Sequence, residues 1–365
     1  MSARVVIMAG GTGGHVIPAL TIAERLRERG LEVSWLGTRR GLEADLVPRA
    51  RIEIDWLRVT GLRGNGAVGW ALAPFRLGYA LAQALRALRR RRPAAVLGMG
   101  GFAAGPGGVA AWLLGLPLVV HEQNAVAGLT NSLLARLADR VLEAFPGTFP
   151  PSRAAEATGN PVRAAIVALP RPALRFAVRT GPLRLLVLGG SLGAAALNEA
   201  IPAAAARLPG KLEIRHQCGA RHVEAARAAY AGAGVDAEVL PFIDDMAGAY
   251  GWADLVICRA GALTVAELAA AGVGALLVPF PHAVDDHQTA NARYLVAAGA
   301  AELIPQERLE AADLGERIAA LADDRGRLAA MAEAARAVAR PEAADAVVAA
   351  CLRVAGLSGD ARWTA

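Results

Sequence analysis

His15 closes the run Gly10-Gly11-Thr12-Gly13-Gly14, where an apolar segment turns sharply into a helix-length one. A neutral imidazole there can take a proton and a protonated one can bind phosphate; capping the helix is the plainer alternative. His121-Glu122-Gln123-Asn124 stand at the end of another apolar run. Four polar residues in a row are costly to bury without partners. Glu122 is a candidate general base and Asn124 can hydrogen-bond a sugar or amide, unless the set bonds its own backbone. Arg163 follows Asn160-Pro161, and a guanidinium suits bidentate contact with phosphate. Glu267 lies one turn into the segment opened by Gly261-Ala262-Leu263-Thr264. A carboxylate there can accept from two vicinal ribose hydroxyls, or close a capping box with Thr264. Gln288 and Asn291 share one helical face after Pro279-Phe280-Pro281-His282, and that face reads a sugar or is solvated. The pairs Asp244-Asp245, Asp285-Asp286 and Asp323-Asp324 read as helix caps, with no metal-ligand spacing. No metal and no cofactor is expected.

A second dense glycine turn, Gly189-Gly190-Ser191-Leu192-Gly193-Ala194, follows Leu185-Leu186-Val187-Leu188. Glycine lets backbone N–H groups approach a ligand, and the helix that follows favours negative charge. A dinucleotide fingerprint fails at both turns, because Val16 and Leu192 occupy positions that need glycine or alanine. The next strand ends in Gly37-Thr38 without the ribose-binding acid, and no phosphate-loop motif with lysine occurs. Gly98-Met99-Gly100-Gly101-Phe102, with Gly105-Pro106-Gly107-Gly108, is a third such cradle or a tight connection.

Strand-length apolar runs position these groups. They fall at 4–9, 32–36, 52–58, 94–98, 117–121 and 140–144, then at 183–188, 212–217, 236–240, 254–257, 274–279 and 300–304, separated by helix-length segments. Continuous runs suit strands buried on both faces, hence an α/β chain with two parallel sheets. The break lies near Gly159 to Arg163, and such sheets bind ligands beyond their strands' carboxyl ends. The boundaries expected are 1–161 for the first domain, with a helix at 340–356 packing back on it, 162–339 for the second and 357–365 for a tail.

With 365 residues the chain has room for two domains, and no apolar run is long enough to span a bilayer. A strand begins almost at once, so no secretory leader is expected, and Cys218, Cys258 and Cys351 have packing rather than redox spacing. The formal charge of +6 rests almost wholly on arginine and suits an anionic partner. No motif points to nucleic acid. Trp70, Leu72, Phe75, Leu77, Tyr79 and Leu81 mix with Arg76 and precede Arg86 and Arg89 to Arg92. That pattern suits an anionic phospholipid surface, or a core helix with a solvated basic end.

Taken in order, GGTGGH at 10–15, GLRG at 61–64, GMGGF at 98–102, HEQN at 121–124, GNPVR at 159–163, GGSLGA at 189–194, FIDDM at 242–246, RAGALTVAE at 259–267 and HQTANA at 287–292 resemble the MurG family of bacterial peptidoglycan glycosyltransferases. The resemblance spans almost the whole chain. It implies a GT-B fold, two Rossmann-like parallel-sheet domains facing a deep cleft. The first would serve the acceptor and membrane docking, the second would hold UDP-GlcNAc. It implies transfer of GlcNAc, with inversion, to the MurNAc 4-hydroxyl of undecaprenyl-linked lipid I, giving lipid II. UDP would leave toward a helix N-terminus with no obligatory metal. Thr12, Gly13 and Gly14 would line the sugar and diphosphate, Asn124 and Gln288 would bind the sugar, and Arg163 and Ser191 would lie near the diphosphate. Ile243 would hold uracil through its backbone beside the helix start Ala262, Leu263, Thr264, Val265, Ala266 and Glu267, with Glu267 on the ribose. His15 is the first candidate for the base and Glu122 the second. The implied location is peripheral, on the cytoplasmic face of the cell membrane, among other cell-wall synthesis proteins. Leu192 departs from the glutamine frequent in the family. Another lipid acceptor such as diacylglycerol, or a non-catalytic nucleotide-sugar binder, are the competing readings.

Overall fold

Alternate residues of a strand point to opposite faces of its sheet, so a strand covered on both sides must be apolar throughout. The strand β1 (Arg4–Met8) shows this directly. Val5 and Ile7 join one core with Val16, Ile22 and Leu26, whereas Val6 and Met8 join another with Leu88, Val96 and Ala110. The computed structural model describes residues 3–59, 67–190 and 193–357. The chain divides into two units, Met1–Val162 with Pro341–Ala365, and Arg163–Arg340.

The first unit carries β1, β2 (Glu32–Gly37), β3 (Glu53–Trp56), β4 (Ala95–Gly98), β5 (Leu118–Glu122), β6 (Arg140–Glu143) and β7 (Glu156–Ala157) in the order β3-β2-β1-β4-β5-β6-β7. Every pairing is parallel. The helix Ala343–Val354 buries Val347, Val348 and Cys351 in the core that includes β1 and the helix Gly13–Glu28.

The second unit carries β8 (Leu183–Leu188), β9 (Leu212–Gln217), β10 (Glu238–Leu240), β11 (Leu255–Cys258), β12 (Gly274–Leu277) and β13 (Ala301–Leu303), ordered β10-β9-β8-β11-β12-β13 and again parallel. Both sheets follow the doubly wound pattern, in which the chain reverses direction of growth beside its first strand. The switch points lie between β1 and β4 and between β8 and β11. The glycine turns at 10–14, 98–102 and 189–194 therefore leave the carboxyl ends of the strands that flank a switch point.

Some strand ends differ from the sequence expectation for local reasons. Ile52 donates to Val47 O at 3.2 Å and so closes the helix Glu43–Arg49 instead of starting β3. The run at 274–279 stops at Leu277: Val278 N makes the last ladder bond, 2.8 Å to Cys258 O, and Pro279 has no N–H to continue it. The two-residue β7 has no apolar run to announce it.

Candidate functional site

In the first unit the turn after β1 is held by Glu43, a fully buried carboxylate. Its Oε2 accepts from Gly11 N at 2.9 Å, and its Oε1 accepts from Thr38 N at 3.0 Å and Thr38 Oγ1 at 2.7 Å. Leu42 N donates to Gly11 O at 3.0 Å. The turn thus arrives fixed at Thr12, the residue that opens the helix Gly13–Glu28. First-turn N–H groups of a helix have no acceptor within it and face whatever lies beyond its end. Thr12, Gly13 and Gly14 are placed at such an end.

His15 is half-buried on that first turn, and its Nδ1 lies 2.7 Å from Gln123 Oε1. Gly100, in the left-handed region at φ 92°, lies against the ring, and a Cβ there would come within 3.0 Å of His15 Cε1 and Nδ1. The glycine of the third cradle is therefore fixed by the imidazole it adjoins.

At the end of β5, His121, Glu122 and Gln123 are buried. Glu122 has its carboxylate oxygens taken up by four donors. Its Oε1 accepts from Asn124 N at 2.9 Å and Asn124 Nδ2 at 3.2 Å, its Oε2 from Gly128 N at 3.2 Å and Asn131 Nδ2 at 2.9 Å. Four donors occupy the lone pairs that would take a substrate proton. The carboxylate anchors residues 123–128 and orients Asn124. Burial lowers the His121 pKa and keeps the ring neutral, while its Nε2 lies 2.9 Å from Gly159 O. Asn160 Nδ2 donates to Gln123 O at 2.9 Å.

In the second unit Glu267 is 5% exposed on the helix Ala262–Ala271, which starts just beyond β11. Arg163 Nη2 donates to its Oε1 at 2.8 Å, and Tyr250 OH donates to its Oε2 at 3.1 Å. Burial raises the Glu267 pKa; Arg163 and Tyr250 pull it back down. No side chain caps this helix and Gly261 is its cap, so the Thr264–Glu267 box does not form. Arg163 is engaged with that carboxylate. Ala262, Leu263 and Val265 are buried and Thr264 and Ala266 half-buried, so what this helix start presents is chiefly backbone.

Ile243 is buried in the turn before the helix Met246–Trp252, and Asp245 caps that helix by accepting from Gly248 N at 2.9 Å. Gln288 Oε1 accepts from Phe280 N at 2.9 Å, which leaves the amide NH2 as its end for a ligand. Asn291 is fully buried and donates to Ala260 O at 3.1 Å, so it braces the turn after β11 from inside and is not part of a solvated face. Asp324 caps as expected, on Arg327 N at 2.8 Å. Asp286 does not cap its helix; with φ at 48° its Oδ1 accepts from Thr289 Oγ1 at 2.7 Å instead. Gly193 is left-handed at φ 78°, and a Cβ there would overlap the Cys218 carbonyl oxygen. Ser191, Leu192 and the segment 61–64 lie outside the described residues, as does the side chain of Trp70.

The helix Ala67–Arg91 turns Ala73, Ala80, Ala84 and Ala87 inward and leaves Leu72, Phe75, Leu77 and Tyr79 exposed, Phe75 by 78%, with Arg76 beside them. It packs on the helix Ala104–Leu113, which packs on Leu129–Leu134. These add exposed Trp112, Leu113, Leu129 and Leu133. The basic end is partly neutralised, since Arg90 and Arg91 pair with Asp55 and Arg91 also with Glu53. Among the described residues no helix is long and apolar enough to cross a membrane, and no group of His, Cys, Asp and Glu is arranged to hold a metal.

Glu43, Tyr250 and Asn131 escaped the sequence reading. Each is one polar residue in an ordinary helical segment, and nothing local tells a buried polar group from a solvated one.

Comparison with known proteins extends this geometry. Residues 5–143 match the glycosyltransferase family 28 N-terminal domain and residues 184–347 the glycosyltransferase family 28 C-terminal domain. A relative in Nitrosococcus oceani is 60% identical, covering 97% of this chain and 99% of its own. One in Alkalilimnicola ehrlichii is 61% identical over 97% of this chain and 100% of its own. Both are named UDP-N-acetylglucosamine–N-acetylmuramyl-(pentapeptide) pyrophosphoryl-undecaprenol N-acetylglucosamine transferase. The crystal structure of Acinetobacter baumannii MurG superposes with a TM-score of 0.83 at 46% identity, over 96% of this chain and 99% of that one.

Proposed function

The chain belongs to glycosyltransferase family 28, in its MurG branch, and from that premise we propose that it transfers GlcNAc from UDP-GlcNAc to the MurNAc 4-hydroxyl of undecaprenyl-pyrophosphoryl-MurNAc-pentapeptide, giving lipid II. It is a UDP-GlcNAc-dependent transferase with two Rossmann-like domains of the GT-B class. The observation that carries the reading is near-complete coverage, at 60% identity, by a relative of that name, joined to a histidine and a buried carboxylate at the two switch points.

The second unit holds the donor. Glu267 is braced on both oxygens, and its lone pairs accept from the ribose hydroxyls beside Arg163. Backbone around Ile243 and from Ala262 to Ala266 takes the uracil, and the Gln288 amide and Asn124 take the sugar. Ser191 and the amides of the glycine turns, with Thr12, Gly13 and Gly14, meet the diphosphate. The first unit serves the acceptor. His15 Nε2 removes the proton of the acceptor hydroxyl as that oxygen bonds to the anomeric carbon. The bond from that carbon to the β-phosphate oxygen breaks on the opposite face, and UDP leaves with the electron pair. Inversion follows from that single displacement. Developing negative charge on UDP is stabilised by the helix ends.

Exposed Leu72, Phe75, Arg76 and Tyr79, with Trp70 and the apolar residues of the neighbouring helices, dock the protein peripherally on the anionic cytoplasmic face of the membrane. Lipid I is presented there, and other cell-wall synthesis proteins are partners at the same surface.

Purified protein with UDP-GlcNAc and a short-chain lipid I analogue should release UDP only when acceptor is present, with a lipid product heavier by one N-acetylhexosamine. Donor binding without that product, but transfer to diacylglycerol, would replace the acceptor and keep the donor site.

A further inference from the structure

The protons around His15 can be placed from one fixed acceptor. Gly159 O is a carbonyl and only accepts, so His121 Nε2, 2.9 Å away, must carry its proton. His121 is buried and neutral, so its Nδ1 is then a lone pair. Gln123 Nε2 lies 2.9 Å from that Nδ1 and 3.0 Å from His121 O, two acceptors, and donates to both. Gln123 Oε1 therefore faces His15, and at 2.7 Å it accepts a hydrogen bond from His15 Nδ1–H. Asn160 and Asn131 hold the backbone of this stretch, donating to Gln123 O at 2.9 Å and His121 O at 3.2 Å.

From this chain of bonds the geometry assigns Gln123, oriented by His121, as the positioning residue that fixes His15 in the Nδ1–H tautomer with the Nε2 lone pair open to the acceptor hydroxyl. The assignment rests on the reading of His15 as the base. A free neutral imidazole favours the opposite tautomer, which would turn an N–H toward the hydroxyl and leave nothing to take its proton. When Nε2 gains the hydroxyl proton, Nδ1–H stays on Gln123 Oε1, and the amide oxygen then stabilises the imidazolium. No proton passes beyond His15. The titratable groups from the packed elements are His121 and Glu122 on β5, the latter bonded by four donors, and Glu43 under the turn. The segment 98–102 brings none.

The test uses the full-length protein labelled with nitrogen-15 histidine. Long-range proton–nitrogen spectra at a pH where His15 is neutral should show Nδ1 protonated and Nε2 bare, with the His15 signal assigned by its loss in His15→Ala. Gln123→Met keeps the side chain's length and removes all three side-chain amide hydrogen bonds. It should shift His15 toward Nε2–H and lower kcat by about tenfold or more, with KM for UDP-GlcNAc unchanged. A merely structural glutamine would raise KM or lower stability without moving the tautomer. Nε2–H on His15 in the wild type overturns the assignment whether or not the variant folds. An unmoved tautomer or an unmoved kcat in a folded Gln123→Met does the same. Wild-type turnover in His15→Ala would instead remove the base reading, a result independent of the tautomer spectrum.

Discussion

The two units hold their carboxylates differently. In the first unit Glu43, Glu122 and Glu143 lie in cradles rich in backbone N–H groups; Glu143, for example, accepts from Gly147 N at 2.8 Å and Phe149 N at 3.0 Å. In the second, Glu267 is held by two side chains, Arg163 and Tyr250. A carboxylate that accepts from backbone N–H groups of its own turn, as each of these does, cannot trade those partners without unfolding the turn, so it serves as scaffold. One bound by side chains can accept from a ligand while keeping its charge. On the proposed function, the first unit would leave an imidazole to do its chemistry and the second a carboxylate to bind.

The sharpest break in that contrast would come from His15→Ala. Turnover should fall about 10²- to 10⁴-fold, the range of general-base catalysis, while UDP-GlcNAc affinity measured by calorimetry stays near wild type. Comparable losses in both would make His15 a binding residue and erase the division. Next in size, Glu267→Ala should weaken UDP-GlcNAc by about 1.5–3 kcal/mol, the worth of a hydrogen bond to a charged group. Unchanged affinity would leave the second unit without its binding carboxylate.

The same residue gives a pH dependence. Its pKa lies above the ordinary carboxylate value because burial outweighs Arg163 and Tyr250. Its charge is therefore lost at a higher pH on acidification than that of a solvated glutamate. Donor affinity should drop in mildly acidic buffer, and Glu267→Gln should abolish that slope. A smaller effect is expected from Tyr250→Phe, which removes one bond to Glu267. Roughly 1 kcal/mol of donor affinity should go, with turnover at saturating donor unchanged. Smallest for chemistry is the pair Phe75→Ser and Tyr79→Ser, which should reduce sedimentation with anionic liposomes and leave soluble-acceptor turnover intact. Equal liposome binding would return the helix to a purely structural role.

The fold was legible because parallel strands covered on both faces must be apolar at every position, and this chain writes them as runs separated by helix-length segments. The glycine turns announced themselves for a similar reason: left-handed and closely approached backbone leaves few alternatives to glycine, as at Gly100 and Gly193. His15, Glu122 and Glu267 could be picked out by type and place.

Their hydrogen-bond partners could not. Glu122 and Glu267 are both glutamates beyond a strand's carboxyl end; the sequence offers Glu122 as a candidate base or a partner of its own backbone, and Glu267 as a ribose ligand or half of a capping box. Tertiary structure separates them, by surrounding one with four donors and giving the other Arg163 and Tyr250 from distant segments. Gln123 stood in view within a polar run, yet its role depends on Gly159 O, 36 residues along the chain, fixing the first proton. Sequence determined which groups were present and on which ends of which strands they stand, since backbone conformation and burial period are local properties. Only the folded chain decided which lone pairs remain open, because hydrogen-bond saturation is settled by residues far apart in sequence.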